Sequence, residues 1–311
     1  MANGPSLAPA RSRFLTSNDL LMLGAVIIWG INFSVLKFAL EYFSPLAFNA
    51  VRFSLATLVM LLALRWQRES FSVPRSDLLP VIGLGLLGHT LYQLVFINGM
   101  ARTTPANASL LMATAPIFVV IYGRILGIER TNRVVWAGIC VSFAGILLLV
   151  LGGEGNVRLG GSTVLGDVLV LGAAMLWAGY TTGSKPLLAR YSPVKLTTSS
   201  MVFGTIPLVL VSIPSLLHQD WRAPTTGAWV GLLYSAVFSV AIGYVVWYTS
   251  VRRVGSARTA IFSYLTPVVS VLVSWLFFGY PLAPLQLAGG AVVLAGLVLT
   301  RQGRGGERRD A

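Results

Sequence analysis

The sequence predicts an all-α integral membrane fold of ten transmembrane helices arranged as two inverted five-helix repeats, and three observations lead there. The composition is too apolar for water, apolar runs of bilayer-crossing length recur along the chain, and the two halves match each other. Of 311 residues, 55% are hydrophobic and 11% charged, where a water-soluble chain carries roughly 25% charged residues. A lipid-facing surface accounts for the deficit. The runs reach about 20 residues, enough to cross roughly 30 Å of hydrocarbon. They are continuous and rich in Leu, Ala, Val and Gly, as in LLMLGAVIIWG. Barrel strands would instead alternate over about ten residues.

Taken in order, spans are expected at 19–40, 45–66, 78–99, 105–126, 132–151, 166–187, 194–216, 227–249, 257–278 and 282–301. The amino-terminal segment, with Arg11 and Arg13 before an apolar run, imitates a secretory signal. That run is too long and lacks a small-residue cleavage site, so it reads as a retained first span. Cys140 is the single cysteine and falls inside a span, which excludes an intrachain disulfide and reads as a buried structural residue.

Charge sets the orientation. The net charge of +13 could suggest nucleic acid, but the 23 Lys and Arg residues are scattered over short loops with no basic module to carry it. With the amino terminus inside, 18 of them fall on the inner side and four outside (Lys37, Arg102, Arg158 and Arg222), while Arg52 lies within a span. That asymmetry satisfies the positive-inside rule for ten spans with both termini cytoplasmic in a cell (inner) membrane. The partners this implies are the lipid bilayer and a small-molecule substrate, with a proton as a candidate second cargo, and no nucleic acid. The organisation that follows is a cytoplasmic tail at 1–18, a first repeat at 19–151, an extracytoplasmic linker at 152–165, a second repeat at 166–301 and a basic tail at 302–311 that can rest on anionic lipid.

The repeat is read from DLLMLGAVIIWGINFSVLKFALEYFSP at 19–45, which lies on DVLVLGAAMLWAGYTTGSKPLLARYSP at 167–193 with a constant offset of 148. Asp19 meets Asp167, Trp29 meets Trp177, Lys37 meets Lys185, and Ser44-Pro45 meets Ser192-Pro193. Further on, at an offset of 151, Ala106 pairs with Ala257, Pro116 with Pro267 and Gly138 with Gly289. Five spans per half is an odd number, so the second half must enter from the opposite side. Inverted repeats of this kind recur in secondary transporters, whose halves rock about a site near the bilayer midplane.

On these features the chain resembles the EamA branch of the drug/metabolite transporter superfamily. The features that carry the resemblance are WG-x-N-F with a later lysine (Trp29, Gly30, Asn32, Phe33, Lys37), SPLAFNAVRF with Arg52, and TTPANASLLMATAPIF followed by Glu129, with a looser second copy in GSARTAIFSYLTPVVSVL. The resemblance implies ten spans around a central cavity and the export or uptake of small metabolites. The sequence departs from the pattern at Tyr280, which stands where the second copy of Glu129 is expected.

Polar groups at membrane depth must face protein or a water-filled cavity, which makes each a candidate for function. Trp29 and Asn32 lie one turn apart near mid-span. His89 and Gln93 share a helical face beside Tyr92. Trp177, Tyr180, Tyr244 and Tyr264 add an aromatic face suited to planar or cationic groups. Together these nine form the expected substrate cavity. Trp247 and Tyr248, nearer a span end, read as interface-belt or packing residues. Pro116 and Pro267 are candidate kinks or gates. Lys37 and Arg52 read as structural or cavity charges: Lys37 can snorkel to the interface, and Arg52, about seven residues into its span, is expected to meet helix-end carbonyls or a carboxylate, a structural role being favoured over substrate binding.

No catalytic or metal-ligating cluster is evident, and GYTTGSKP fails the spacing of a phosphate-binding loop, so no cofactor is implied. The ten acids all fall at span ends or in loops, which points to facilitated diffusion or proton coupling through His89. A membrane enzyme acting on lipid-like substrates and a non-transporting scaffold are the competing readings. Among substrates, amino acids and similar amphipathic metabolites fit aromatic walls with little buried negative charge.

Overall fold

A computed structural model describes residues 16–103, 105–128, 132–151, 164–278 and 283–302, and the regular structure among them is all helical. Glu129, Tyr280, most of the expected linker and nearly all of the basic tail lie outside the described residues. Helix α1 (Ser17–Ala39) starts in a reciprocal cap, the Thr16 side chain accepting from the Asp19 amide while the Asp19 carboxylate accepts from the Thr16 amide. Helix α2 (Pro45–Trp66) opens on a proline, which needs no amide partner at that position. Next come α3 (Arg75–Arg102), the short pair α4 (Pro105–Met112) and α5 (Ala115–Ile125), and α6 (Arg133–Leu151).

In the second half, α7 (Val164–Leu188) is followed by α8 (Pro193–His218), whose Ser192 cap accepts from the Lys195 amide. Then follow α9 (Thr226–Val254), α10 (Ser256–Ile261), α11 (Leu265–Phe278) and α12 (Pro284–Gln302). Eight helical stretches among the described residues are long and apolar enough to cross a membrane, and the apolar helices Arg133–Leu148 and Pro284–Thr300 are shorter.

One expectation is refined and another changes. The stretches 105–126 and 257–278 are not continuous helices: the first breaks at Ala113 and Thr114, the second passes through a 3₁₀ turn at Phe262–Tyr264. Proline is the cause, because its ring clashes with the carbonyl four residues back and its nitrogen cannot donate. For Pro116 that position is Met112, where α4 ends; for Pro267 it is Ser263, in the 3₁₀ turn. Cys140 is also not buried but exposed on α6. An apolar helix facing lipid gains nothing by hiding a small, weakly polar thiol.

Long helices α3 and α9 each widen into a π-helical stretch, Leu86–Leu91 and Ser235–Ile242. Nothing in composition marks such stretches, which commonly sit at functional sites. Packing repeats across the halves. α2 lies along α8 and α6 along α12, α3 packs on α7 as α9 packs on α1, and α5 packs on α7 as α11 packs on α1. At the crossing of α3 and α8, a side chain on Gly85 would collide with the Ser200 carbonyl, and one on Gly204 with the Gly85 carbonyl. Small residues of this kind let membrane helices approach closely where burial of apolar surface gives no net drive.

At the two ends, loops of opposite halves are tied together. Between α2 and α3 on one side and α7 and α8 on the other, Arg190 pairs with Asp77 at 2.9 Å, the Tyr191 hydroxyl donates to Asp77, and Ser192 Oγ donates to Glu69 at 2.6 Å. At the other end of α2 the tie is neutral: Gln219 Oε1 accepts from the Ser44 amide at 2.7 Å, and Gln219 Nε2 donates to the Tyr42 carbonyl at 3.1 Å.

Candidate functional site

A cavity of about 740 Å³, its mouth included, lies between α1, α2, α3, α4, α7, α9 and the breaks before α5 and α11. α1 contributes Trp29, Asn32, Phe33 and Leu36, an i, i+3, i+4, i+7 stripe that places four side chains on one face. From α3 come Tyr92, Gln93 and Phe96, and from α9 Ser239, Val240 and Tyr244. Trp177 of α7 and Arg52 of α2 complete the aromatic and charged parts of the wall.

The π-helical stretch of α9 shapes one side: the Ser239 carbonyl accepts from Trp29 Nε1 at 2.9 Å, and the indole lies against Gly243, where a side chain would not fit. Trp29 and Trp177 then meet edge to face at 6.0 Å, a geometry favoured by the ring quadrupoles.

Arg52 is 2% exposed and sits above Phe53 at 5.2 Å and Phe48 at 5.6 Å. It donates through Nη2 to Asn49 Oδ1 and Gln93 Oε1, both at 2.7 Å, and through Nη1 to Ser235 Oγ at 3.2 Å. Among the described residues no carboxylate or helix-end carbonyl meets it, contrary to expectation. With its oxygen taken by Arg52, the Gln93 amide turns its nitrogen to the Tyr244 hydroxyl at 2.9 Å. Asn49, Arg52, Gln93 and Tyr244 thus form one chain of hydrogen bonds joining the halves.

Of the nine expected cavity residues, Trp29, Asn32, Tyr92, Gln93, Trp177 and Tyr244 are on the wall, and His89, Tyr180 and Tyr264 are not. His89 and Gln93 do face the same way, and both touch Tyr244, but His89 lies one turn deeper and is fully buried. Its Nε2 is 2.8 Å from the Tyr180 hydroxyl and 3.1 Å from Ser200 Oγ. Tyr180 meets Tyr248 edge to face, and Trp247 packs at a tilt against Trp177 and Trp29, with all of these rings close to fully buried except the partly buried Trp29. Trp247 and Tyr248 therefore belong to the interior, not to an interfacial belt. Lys37 donates to the Thr103 carbonyl at 3.1 Å, at the end of α3. Pro116 and Pro267 stand just past the two breaks rather than on the wall.

Residues the sequence did not single out are Phe33, Leu36 and Phe96, and the small or polar Ser109, Met112, Ala113, Ala115, Ser239, Val240, Ser263 and Thr266. The first three continue the stripes begun by Trp29 and Gln93. The others reach the wall only because the backbone bulges or breaks there. Depth along each helix adds one more fact. The wall uses the second halves of α1 and α3 but the first half of α2, and neighbouring helices run in opposite directions. The cavity therefore spans from mid-helix toward the face where α1 ends, and the buried ring cluster closes the other face.

Comparison with known proteins agrees with this architecture. The EamA-like transporter family matches residues 16–151 and 164–302. The chain is 29% identical to an uncharacterized transporter, YyaM, of Bacillus subtilis, covering 91% of this chain and 93% of that one. It is 30% identical to a protein named a probable terminal-alkyne amino-acid exporter from Streptantibioticus cattleyicolor, covering 92% and 94%. With the uncharacterized inner membrane transporter YedA of Escherichia coli it shares 30% identity over 88% of this chain and 87% of that one. A crystal structure superposes with a TM-score of 0.75 over 92% of this chain and 96% of that one at 20% identity, which speaks to the fold alone. A multi-pass helical membrane protein with a cavity between its two halves, matched over both halves, this chain belongs to the EamA-like transporter family.

Proposed function

We propose that this transporter carries small amphipathic metabolites such as amino acids by alternating access, through ten spans in two inverted five-helix repeats with both termini in the cytoplasm. The observation that carries the reading is where residues of one half meet their own counterparts. Thr57 and Thr205, 148 apart, share a hydrogen bond of 2.9 Å; Gln93 and Tyr244, 151 apart, share another; Trp29 and Trp177, 148 apart, pack ring to ring. Only positions on a two-fold axis can touch the positions they are exchanged with. The paired π-helical stretches and the paired proline breaks, also about 150 residues apart, support the same axis.

The axis runs through the cavity wall, so a rocking of the halves would expose the site to one face and then the other. With the positive-inside orientation, the cavity faces outward and the aromatic cluster closes the cytoplasmic side. Amino acids are supported by the aromatic walls and by the name of the Streptantibioticus relative. Facilitated diffusion is the simpler reading of the energetics, because no carboxylate lines the wall among the described residues. A proton route would have to run through His89, beneath the cavity floor. The test is counterflow of labelled amino acids into proteoliposomes. Saturable exchange by the wild type, lost in Asn32→Ala and Gln93→Ala, is the expected result; exchange unaffected by both would place the site elsewhere.

A further inference from the structure

We propose that Arg52 receives a carboxylate of the substrate, so that the cargo is a monocarboxylate, zwitterionic amino acids included, with an apolar or aromatic body. The inference rests on the transport reading above and narrows it. Arg52 is the one charged side chain on the cavity wall among the described residues, and it is almost wholly buried. A cation held at membrane depth is retained where something compensates it. Here, among the described residues, the protein supplies only neutral oxygens, from Asn49, Gln93 and Ser235. Its Nε is buried without any partner. A guanidinium has five N–H donors, and the bonds to Asn49, Gln93 and Ser235 use three.

The same network readies a second donor. Gln93 Nε2 donates to the Tyr244 hydroxyl oxygen, which leaves the hydroxyl proton of Tyr244, also on the wall, without an acceptor among the described residues. A planar, charged acceptor fits such donors best, since a guanidinium meets a carboxylate edge to edge. A phosphate dianion would carry two charges into a wall that offers one. Opposite in character, Asn32 Oδ1 is a buried acceptor without a partner on the same wall, available to the ammonium of an amino acid. The aromatic and aliphatic remainder of the lining takes an apolar body.

The test uses four related probes with the full-length protein in nanodiscs: 3-phenylpropionate, L-phenylalanine, L-phenylalaninamide and phenethylamine. Binding is read from tryptophan fluorescence, since Trp29 and Trp177 line the cavity. The two acids should bind about tenfold or more tightly than the amide and the amine, as loss of a charge-assisted contact requires. Arg52→Gln should level that difference and Arg52→Lys should keep part of it. Where Arg52→Gln fails to fold, Gln93→Glu decides, because it places a carboxylate of the protein beside Arg52: it should keep or raise thermal stability and abolish binding of the acids.

Equal binding of all four probes by the wild type, no binding of either acid by folded wild type, or undiminished binding of the acids by Gln93→Glu would overturn the proposal. Counterflow with the same probes separates it from the transport reading. Exchange of the amide and amine at the rate of the acids keeps a transporter and removes the carboxylate site. Binding of the acids alone, with no exchange of any probe, keeps the carboxylate site and counts against transport through this cavity.

Discussion

At the residue scale, the wall of the cavity is organised by one side chain. Gln93 has its oxygen on Arg52 and its nitrogen on Tyr244, so its orientation is set by a cation on one side and a hydroxyl on the other. Replacing it by Leu keeps the volume but strips a buried guanidinium of one of its two shortest bonds. Gln93→Leu should lose about 1.5–3 kcal/mol, the range for hydrogen bonds to charged groups, seen as a lower unfolding midpoint in detergent. The sequence brought Trp29, Asn32, Gln93 and Tyr244 to notice because polar and aromatic groups are conspicuous within apolar runs. His89 was equally conspicuous, yet it serves the closed side through Tyr180 and Ser200. Composition does not distinguish a polar group facing a cavity from one satisfied inside packed helices.

At the element scale, the helices differ from ideal spans at paired places. The breaks before Pro116 and Pro267 expose Ala113, Ser263 and Thr266 to the cavity, and the π-helical stretch of α9 offers a carbonyl to Trp29. These departures bring small polar groups to the wall without large side chains. The prolines foretold the breaks; the π-helical stretches carry no residue signature, since they arise from how the helix meets its neighbours. Close crossing is the other requirement. A Cβ on Gly204 would collide with both the Gly85 carbonyl and the His89 side chain, and Thr90 donates to the Gly204 carbonyl at 2.6 Å. Gly204→Val has no room at that crossing and should destabilise by about 1–3 kcal/mol. Thermal unfolding should show it, with Gly24→Val, which meets nothing within 4 Å, as the neutral control.

At the scale of the whole molecule, closure is held differently at the two ends. One end is tied by Asp77 and Glu69, the other by the neutral Gln219. Arg190 is 58% exposed, so its pair with Asp77 is worth little in water; the Tyr191 bond to the nearly buried carboxylate contributes more. Accepting that bond, Asp77 holds the Tyr191 hydroxyl above the ordinary tyrosine value. The Tyr191 bond is therefore intact through neutral pH and is lost as pH rises through that higher value. Asp77→Asn should loosen this end by about 1 kcal/mol, roughly fivefold in the population opened there. Maleimide labelling of Ser184→Cys, buried in the native chain, in a Cys140→Ser background should speed up by that factor.

By itself the amino-acid sequence determined the membrane class, the recurrence of apolar helical stretches along the chain, and the family. These depend on solvation and on local periodicity, both of which are written residue by residue. Only the tertiary structure decided which face of each helix is inward, where α3 and α9 widen, that Cys140 is exposed, and that Arg52 has no carboxylate beside it among the described residues. Those depend on what lies across a helix crossing, and the atoms that settle them come from positions some 40 to 180 residues away in the chain, as with Gln93 and Ser235 around Arg52.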